Sequence, residues 1–302
     1  MKIDLHIHSR DCSDGKMTVP EILAEARKRG IRLVSITDHD AVQCQESAIL
    51  LAKELDLHYI SGVELNISFS HPRYRDGRPI SLDVLGYNYD IHNRPLLDKT
   101  RQLRKYRTTR AQSILEKINQ ERAKERLSPM TPDDFKTIAE SVDGAIGRPH
   151  IADYMARKGM VSTRKEAFDK YLVKCNVPKL PVSLKEASEL VWAAGGKLVL
   201  AHPGDPNGTS LVSFTDAVPE QLGIIKETML PYLDGLECFH SRLDRHTTAS
   251  YLAFARQEGL MVTGGSDCHQ QPVIMGTVDV PAFVGRQFNV EVENEQPHSR
   301  PF

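Results

Sequence analysis

The sequence predicts an α/β fold built of short apolar strands alternating with amphipathic helices, interrupted once by a long helical stretch. Three observations carry this. Strand and helix patterns alternate from residue 2 to about 87 and again from about 184 to 263; the region 94–187 has helical patterns and no strands; and strand after strand ends in an imidazole or a carboxylate. In a parallel barrel such ends converge on one face, where the catalytic residues of these folds collect. The expected organisation is therefore a discontinuous barrel unit, 1–93 and 188–285, a mainly helical insertion, 94–187, and a peripheral tail, 286–302.

The first strand contains His6 and His8, which point to one side because strand side chains alternate with period two. They read either as a hydrogen-bonded core pair or as two metal ligands. Asp11 and Asp14 follow in a loop ending at Gly15, so carboxylates can lie over the end of that strand. Thr18 to Gly30 reads as a helix, with Thr18 as N-cap, Pro20 in its first turn, Gly30 as its stop and Ile22, Leu23 and Ala26 as its inner face. Arg32 to Thr37 is a β-branched strand leading into Asp38-His39-Asp40. A helix from about Val42 to Leu55 follows, then a strand from His58 to Asn66 that Glu64 closes, and a strand from Leu82 to Tyr87 that carries Asp83.

Within the insertion, Lys99 to Arg126 holds ten basic residues against three acidic ones, over an apolar stripe of Leu103, Ala111, Ile114, Leu115 and Ile118. These charges are either a solvated helix face or a wall that attracts a polyanion. Gly147-Arg-Pro-His150 reads either as a helix start that sets Arg148 and His150 near an anion-binding N-terminus or as an ordinary capped helix with a surface arginine. Tyr106 and Tyr154 are the tyrosines here that suit stacking on a base, the alternative being a place in core or surface. The alternating pattern resumes with a helix from Leu184 to Ala194 and a strand from Lys197 to Ala201 that ends at His202. A strand from Asp234 to Phe239 precedes His240, and a helix from about Thr247 to Glu258 leads to the strand Leu260–Thr263, which ends in Gly264-Gly-Ser-Asp267-Cys-His269.

With 302 residues, 40% hydrophobic and 26% charged, the composition is that of a soluble globular protein with a large core. A net charge of −1 gives no global field toward nucleic acid or a membrane. Five scattered cysteines without a CxxC pair fit a reducing compartment better than a disulfide framework. No apolar run approaches the roughly 20 residues that span a bilayer, and no signal-like apolar region precedes the first strand. The expectation is a cytoplasmic protein with no membrane association and no obligate protein partner.

The strand ends together supply His6, His8, Asp14, His39, Glu64, Asp83, His202, Asp267 and His269. Mixed imidazole and carboxylate donors without thiolate suit Mn²⁺, Fe²⁺ or Zn²⁺. Nine ligands exceed what one ion takes, so two or three divalent ions are expected. Such clusters activate water and clamp the oxygens of a phosphate, which makes hydrolysis the leading chemistry.

The ordered set His6-x-His8, Asp14-Gly15, Thr37-Asp-His-Asp40, Gly62-Val-Glu64, Ala201-His-Pro-Gly204 and Gly265-Ser-Asp-x-His269 resembles the polymerase and histidinol phosphatase (PHP) family, over residues 2 to about 280. Within it, Arg148-x-His150 and Phe168-Asp-Lys-Tyr-Leu172 are similar to the branch of nucleotide phosphatases and 5′-to-3′ oligoribonuclease-like phosphoesterases. The resemblance implies a distorted seven-stranded β/α barrel. It also implies a first ion on His6, His8, Glu64 and Asp267, a second on Glu64 and His202, and a third on Asp14, His39 and His269. Asp83 stands where the family usually has a histidine.

The implied reaction is attack by metal-activated hydroxide on a nucleotide phosphate ester, either the 3′-phosphate of a nucleoside 3′,5′-bisphosphate or the 5′ end of a short RNA. Glu64, His150, His202 and Asp267 are the expected catalytic residues, with Arg148 and His150 binding substrate and His150 as the favoured general acid. Three rivals remain: a histidinol-phosphate or other small phosphomonoester phosphatase; an amidohydrolase-type C–N hydrolase, whose carboxylated lysine has no strand-end candidate here; and a metal-binding accessory module without turnover.

Overall fold

A computed structural model describes residues 1–142, 146–269 and 272–290. It begins with β1 (Lys2–Asp4), α1 (Val19–Lys28), β2 (Ile31–Val34), α2 (Gln45–Glu54), β3 (His58–Tyr59), β4 (Gly62–Phe69) and β5 (Ile80–Tyr87). The helical region follows as α3 (Arg94–Lys124), α4 (Pro132–Glu140), α5 (Arg148–Arg157) and α6 (Arg164–Ala167). After α7 (Leu184–Ala193) come β6 (Lys197–Leu200), α8 (Val218–Ile224), β7 (Gly235–His240), α9 (Arg245–Gln257), β8 (Met261–Gly265) and α10 (Phe283–Arg286).

Local signals account for the helix ends. At α1, Thr18 Oγ1 accepts the N–H of Glu21 at 3.3 Å while the Glu21 carboxylate accepts the N–H of Thr18 at 2.7 Å, a reciprocal capping box. Asp11, which has no role in the sequence reading, adds a further cap: its Oδ2 accepts the N–H of Val19 at 2.8 Å.

The architecture is mixed α/β, with eight strands in two sheets among the described residues. One sheet has the order β1-β2-β3, all parallel; the other has the order β4-β5-β6-β7-β8, in which β5 runs antiparallel to both neighbours. The two sheets are bridged at Ile7–Cys268 and at His39–Glu64, and Leu5 N–H donates to Gly264 O at 3.1 Å. The strands thus form no single closed sheet. The reversed β5 also changes the placement expected from a wholly parallel set. Asp83 lies in the middle of its strand, and Glu64 lies near the start of β4 rather than closing the strand before it.

One apolar cluster lies among the strands of the larger sheet and helices α7 and α9, with Val63, Leu82, Val191, Leu198 and Tyr251 almost fully buried. A second lies under α1 and α2. A third, built on Ile114, Ile118, Ile151, Met155 and Tyr171, belongs to the helical region. Within 286–290, expected to be peripheral, Phe288 and Val290 join the core, and the Phe288 ring lies 5.8 Å from that of Tyr87. Residues 291–302 of the expected tail fall outside the described residues.

A second departure concerns the cysteines. Cys12, in the loop after the first strand, is disulfide-bonded to Cys44 at the start of α2, because that loop folds back over the helix. Spacing alone gives no sign of a bridge across 32 residues. Among the described residues no helix is long and apolar enough to cross a membrane.

Candidate metal centre

His6 and His8 leave the end of β1, His39 follows β2, Glu64 sits on β4, His202 follows β6, and Asp267 and His269 follow β8. Two glycines permit this crowding. A Cβ on Gly265 would collide with the backbone of His6, and one on Gly15 would collide with the carbonyl of His8. The backbone is also bent to aim two of the side chains: φ is 26° at His202 and 54° at Asp267, a left-handed region that costs non-glycine residues about 1–3 kcal/mol. Such strain persists only where surrounding structure enforces it.

Glu64 lies at the middle of the cluster. Its Oε1 is 3.4 Å from His6 Nε2 and 3.2 Å from His202 Nε2; its Oε2 is 3.3 Å from His8 Nε2 and 2.7 Å from His39 Nδ1. Asp267 Oδ1 is 3.4 Å from both His6 Nε2 and His8 Nε2 and 3.2 Å from His269 Nδ1. Asp14 Oδ1 is 3.3 Å from His269 Nε2 and 3.8 Å from His39 Nε2. Three overlapping groups gather the expected ligands: His6, His8 and Asp267; His6, Glu64 and His202; and His8, Asp14, His39 and His269; a fourth, Asp205, His240 and Asp267, adjoins them. In each, one ligand atom per residue lies within 4.8 Å of all the others.

The donor set fits divalent ions. Atoms bound at about 2.0–2.2 Å to one ion lie roughly 3–3.5 Å from each other, the spacing that most of these pairs have. Moreover, buried His6 Nε2 and His8 Nε2 make no hydrogen bond among the described residues. Buried polar atoms are rarely left so without a role.

By themselves, the carboxylates and most of the imidazoles of the cluster hold one another charged. Burial opposes charge on Glu64, but His39, His6 and a hydrogen bond from His202 hold its carboxyl well below the usual range. Burial likewise works against Asp267 and Asp14, yet His269 together with His6 or His39 keeps both well below it. Burial and the neighbouring His269 and His39 push His8 down to about 3, leaving its imidazole neutral and ready to donate a lone pair. Burial is overcome at His202, which Glu64 raises to about 9.

Asp83 stands apart from this cluster. It lines the cavity, but its Oδ1 accepts Asn66 Nδ2–H at 2.5 Å and its Oδ2 accepts the Thr209 hydroxyl, and it joins none of the three groups. Both oxygens of the residue expected to ligate are therefore already engaged.

Several residues that the sequence reading did not assign hold the ligands in place. Glu237, fully buried on β7, accepts from His6 Nδ1 at 3.0 Å and from the N–H of His202 at 2.8 Å. With Nδ1 as donor, His6 presents Nε2 to the cluster, the usual task of an outer carboxylate. Asp38 accepts from the N–H and hydroxyl of Ser9, both at 2.6 Å, and fixes the loop that carries Asp14. His240 Nε2 lies 3.5 Å from Asp267 Oδ2. A lone acid in an otherwise apolar strand was the available signal for Glu237.

The cluster opens into a cavity of about 580 Å³, whose walls include Arg148, Arg164, Lys179 and Arg242. A second groove of about 420 Å³ shares Arg148, Lys179 and Thr209 with it and adds Arg110 and Asn176. Arg110 binds Val177 O at 2.6 Å and Asn176 Oδ1 at 2.8 Å; burial and the nearby Arg148 and Arg107 push it down to about 10. Arg148 stacks 5.6 Å over Phe168, and no ion pair to a carboxylate is present for Arg110, Arg148 or Lys179 among the described residues. Arg107, on the same helix, is instead paired with Asp40.

Three other residues singled out in the insertion lie outside the lining of the metal cavity. His150 does not line the cavity: its Nδ1 accepts the N–H of Gly147 at 2.9 Å as part of the α5 cap, and burial lowers its pKa. Tyr154 is buried in the helical core and hydrogen-bonded to Asp134, and Tyr106 donates to Pro178 O at 3.2 Å away from the metal cavity. The helical stripe placed Tyr154 inward, so neither ring is presented to a base beside the cluster.

A sequence model of the PHP domain matches residues 4–173. The chain is 31% identical over 212 residues to the 5′-3′ exoribonuclease of Haemophilus influenzae, covering 67% of this chain and 69% of that protein. It is 28% identical over 287 residues to the 3′,5′-nucleoside bisphosphate phosphatase of Chromobacterium violaceum, covering 88% and 87%. A crystal structure from Bifidobacterium adolescentis, described as a metal-dependent phosphoesterase, superposes with a TM-score of 0.76 at 29% identity over 94% of each chain.

Proposed function

The chain belongs to the PHP domain family, and from that premise we propose that it is a metal-dependent phosphoesterase that hydrolyses a phosphate ester of a nucleotide. One observation carries the reading: three overlapping groups of buried imidazole and carboxylate donors open into one cavity whose far wall holds cations without carboxylate partners. The residues that would hold two or three divalent ions, Mn²⁺, Fe²⁺ or Zn²⁺, are His6, His8 and Asp267; Glu64 with His6 and His202; and Asp14, His39 and His269 with His8. When bound, such ions lower the pKa of water and neutralise charge on phosphoryl oxygens.

Glu64 joins two of these groups, since it reaches four imidazoles with its two oxygens. Arg148 and Lys179 bind a phosphate of the substrate that is not the one being cleaved, as both cavities share them. We assign His150 to the α5 cap rather than to the phosphate or to proton donation, since its Nδ1 accepts the N–H of Gly147 and it does not line the cavity. Asp83 supports the wall through Asn66 and Thr209 rather than acting as a ligand of equal standing.

The finer fold reading rests on the same bridges. If His58–Phe69 is taken as one kinked strand, Ile60 N–H to Val34 O at 3.0 Å and Glu64 N–H to Asp38 O at 3.3 Å support its pairing along β2. With the Ile7–Cys268 bridge this pairing supports a distorted ring of seven strands interrupted by a helical insertion.

The preferred substrate is a nucleoside 3′,5′-bisphosphate, whose second phosphate the Arg148 wall accepts. The continuous groove past Arg110 and Asn176 favours a second reading, the 5′ end of a short RNA. The test is phosphate and nucleotide release by metal-loaded protein from a panel of 3′,5′-bisphosphates, short 5′-phosphorylated RNAs and histidinol phosphate. Turnover of the first two classes is expected. Release from histidinol phosphate alone would replace the nucleotide reading, and no release from any substrate would leave a metal-binding accessory module.

A further inference from the structure

The cavity holds one more cation, and this one comes from the strand-end side. Arg242 follows β7, with its backbone N–H donating to His240 Nδ1 at 3.3 Å. Its guanidinium is held at one corner, where Nη1 donates to Asp205 Oδ2 at 2.7 Å and lies 3.8 Å from Oδ2 of Asp267. Asp205 is completely buried, and its other oxygen accepts the N–H of Asn207 at 2.8 Å. Its carbonyl accepts the Ser210 hydroxyl at 2.6 Å, so the carboxylate is a rigid anchor. The Arg242 side chain is 41% exposed and lines the same cavity as His202, Asp267 and His269. Among the described residues its Nε and Nη2 reach no acceptor.

A guanidinium is a planar fork of five donors that fits phosphate oxygens in pairs. Here one edge is fastened and the rest faces the cavity beside a carboxylate of the ligand cluster. Arg148 and Lys179 approach from the insertion, whereas Arg242 approaches from β7. The two sets of cations therefore address two different phosphates.

We infer that Arg242, buckled in place by Asp205, is a catalytic residue that grips a non-bridging oxygen of the phosphoryl group under attack. This rests on the phosphoesterase reading. In that reaction the oxygen of water bonds to phosphorus, the bond from phosphorus to the ester oxygen breaks, and the departing oxygen takes up a proton. Charge is spread over the remaining phosphoryl oxygens in the transition state, where a preset donor is worth most. Asp205 is a positioning residue for Arg242; since it also forms a candidate ion-holding group with His240 and Asp267, its variant is read against metal content.

The test compares Arg242→Ala, Arg242→Lys and Asp205→Asn with the unaltered protein on the best substrate of the panel. The readings are kcat, KM, inhibition by inorganic phosphate, metal content per chain and Tm. Losing one such donor costs about 10²–10³-fold in kcat; the partial exposure of Arg242 sets the expectation for Arg242→Ala near 10²-fold. KM should stay within about threefold, inhibition by phosphate should weaken about tenfold, and metal content and Tm should hold. Arg242→Lys should recover part of the loss, and Asp205→Asn should lose about tenfold in kcat at constant metal content. An Arg242→Ala enzyme within threefold of normal kcat overturns the inference and leaves the phosphoesterase reading intact. So does a loss in both Arg242 variants that tracks metal content or Tm, which would mark Arg242 as a structural counterion. An unaltered protein inactive on the whole panel fails at the earlier step, the phosphoesterase reading itself, and the inference falls with it.

Discussion

The strand-end cluster and the helical insertion both face one cavity, but they hold their charges by opposite means. At the strand ends, His6, His8, Glu64 and His202 are almost entirely buried, Asp14, His39 and His269 partly so, and the donors are fixed by backbone geometry and by outer partners such as Glu237. On the insertion side, Arg148 and Lys179 are half-buried, held by stacking, carbonyls and long flexible stems. The first arrangement suits ligands that must not move by even a fraction of an ångström. The second suits recognition of a diffuse anion that arrives and leaves. Substitutions in the two regions should therefore fail differently: the first through metal content and rate, the second through affinity.

The sharpest break with this picture would come at Glu64. Glu64→Ala removes the one carboxylate that, among the described residues, reaches His6, His8 and His202 within 3.4 Å and His39 at 2.7 Å. Loss of an outer partner alone costs about 10–100-fold, so loss of this ligand is expected to cut kcat/KM by at least ~10³-fold and to lower bound metal by about one ion per chain. Elemental analysis beside phosphate-release kinetics checks both. Full metal content with undiminished turnover would mean that the chemistry lies elsewhere.

A smaller effect separates ligand from support. Glu237→Gln keeps the shape of a fully buried side chain but removes the charge that His6 Nδ1 faces at 3.0 Å. Metal affinity should fall by about 10–100-fold, as measured by calorimetric titration of metal-stripped protein, while saturating metal restores turnover to within about tenfold. Unchanged affinity would reduce Glu237 to a core residue.

How much of this could be read in the chain depended on the region too. Strand periodicity put His6 and His8 on one side, and the positions following the strands brought His39, His202, Asp267 and His269 to the same end, where the structure assembles them. Asp83 sits in mid-strand because β5 runs backward, a choice made by pairing across β4 and β6 that no local pattern encodes. Glu237 and Asp205 were passed over because an isolated acid has no spacing to betray it; only the fold brings Glu237 to His6 and Asp205 to Arg242. The same holds for Lys179, which lies in a loop without periodicity. Of the ten basic residues between 99 and 126, position alone could not separate Arg110, which faces the groove, from Arg107, which Asp40 already neutralises, from buried Arg122, or from the others.

That distinction frames the mildest prediction. Arg148→Ala and Lys179→Ala should each raise KM for a nucleoside 3′,5′-bisphosphate about tenfold, the low end of what a charge-assisted hydrogen bond supplies, because both groups are partly solvated. Metal content and kcat should stay within about threefold, the reverse of the outcome at Glu64. The two side chains line one groove, so the double variant should lose less than the product of the single losses. Added salt should raise KM of the unaltered enzyme more steeply than that of the double variant, since screening weakens only the charges that remain. A substrate with a single phosphate provides the control, since it offers these cations nothing to hold. Equal losses on one- and two-phosphate substrates would place Arg148 and Lys179 at the scissile group, and the division of labour between the two walls would have to be abandoned.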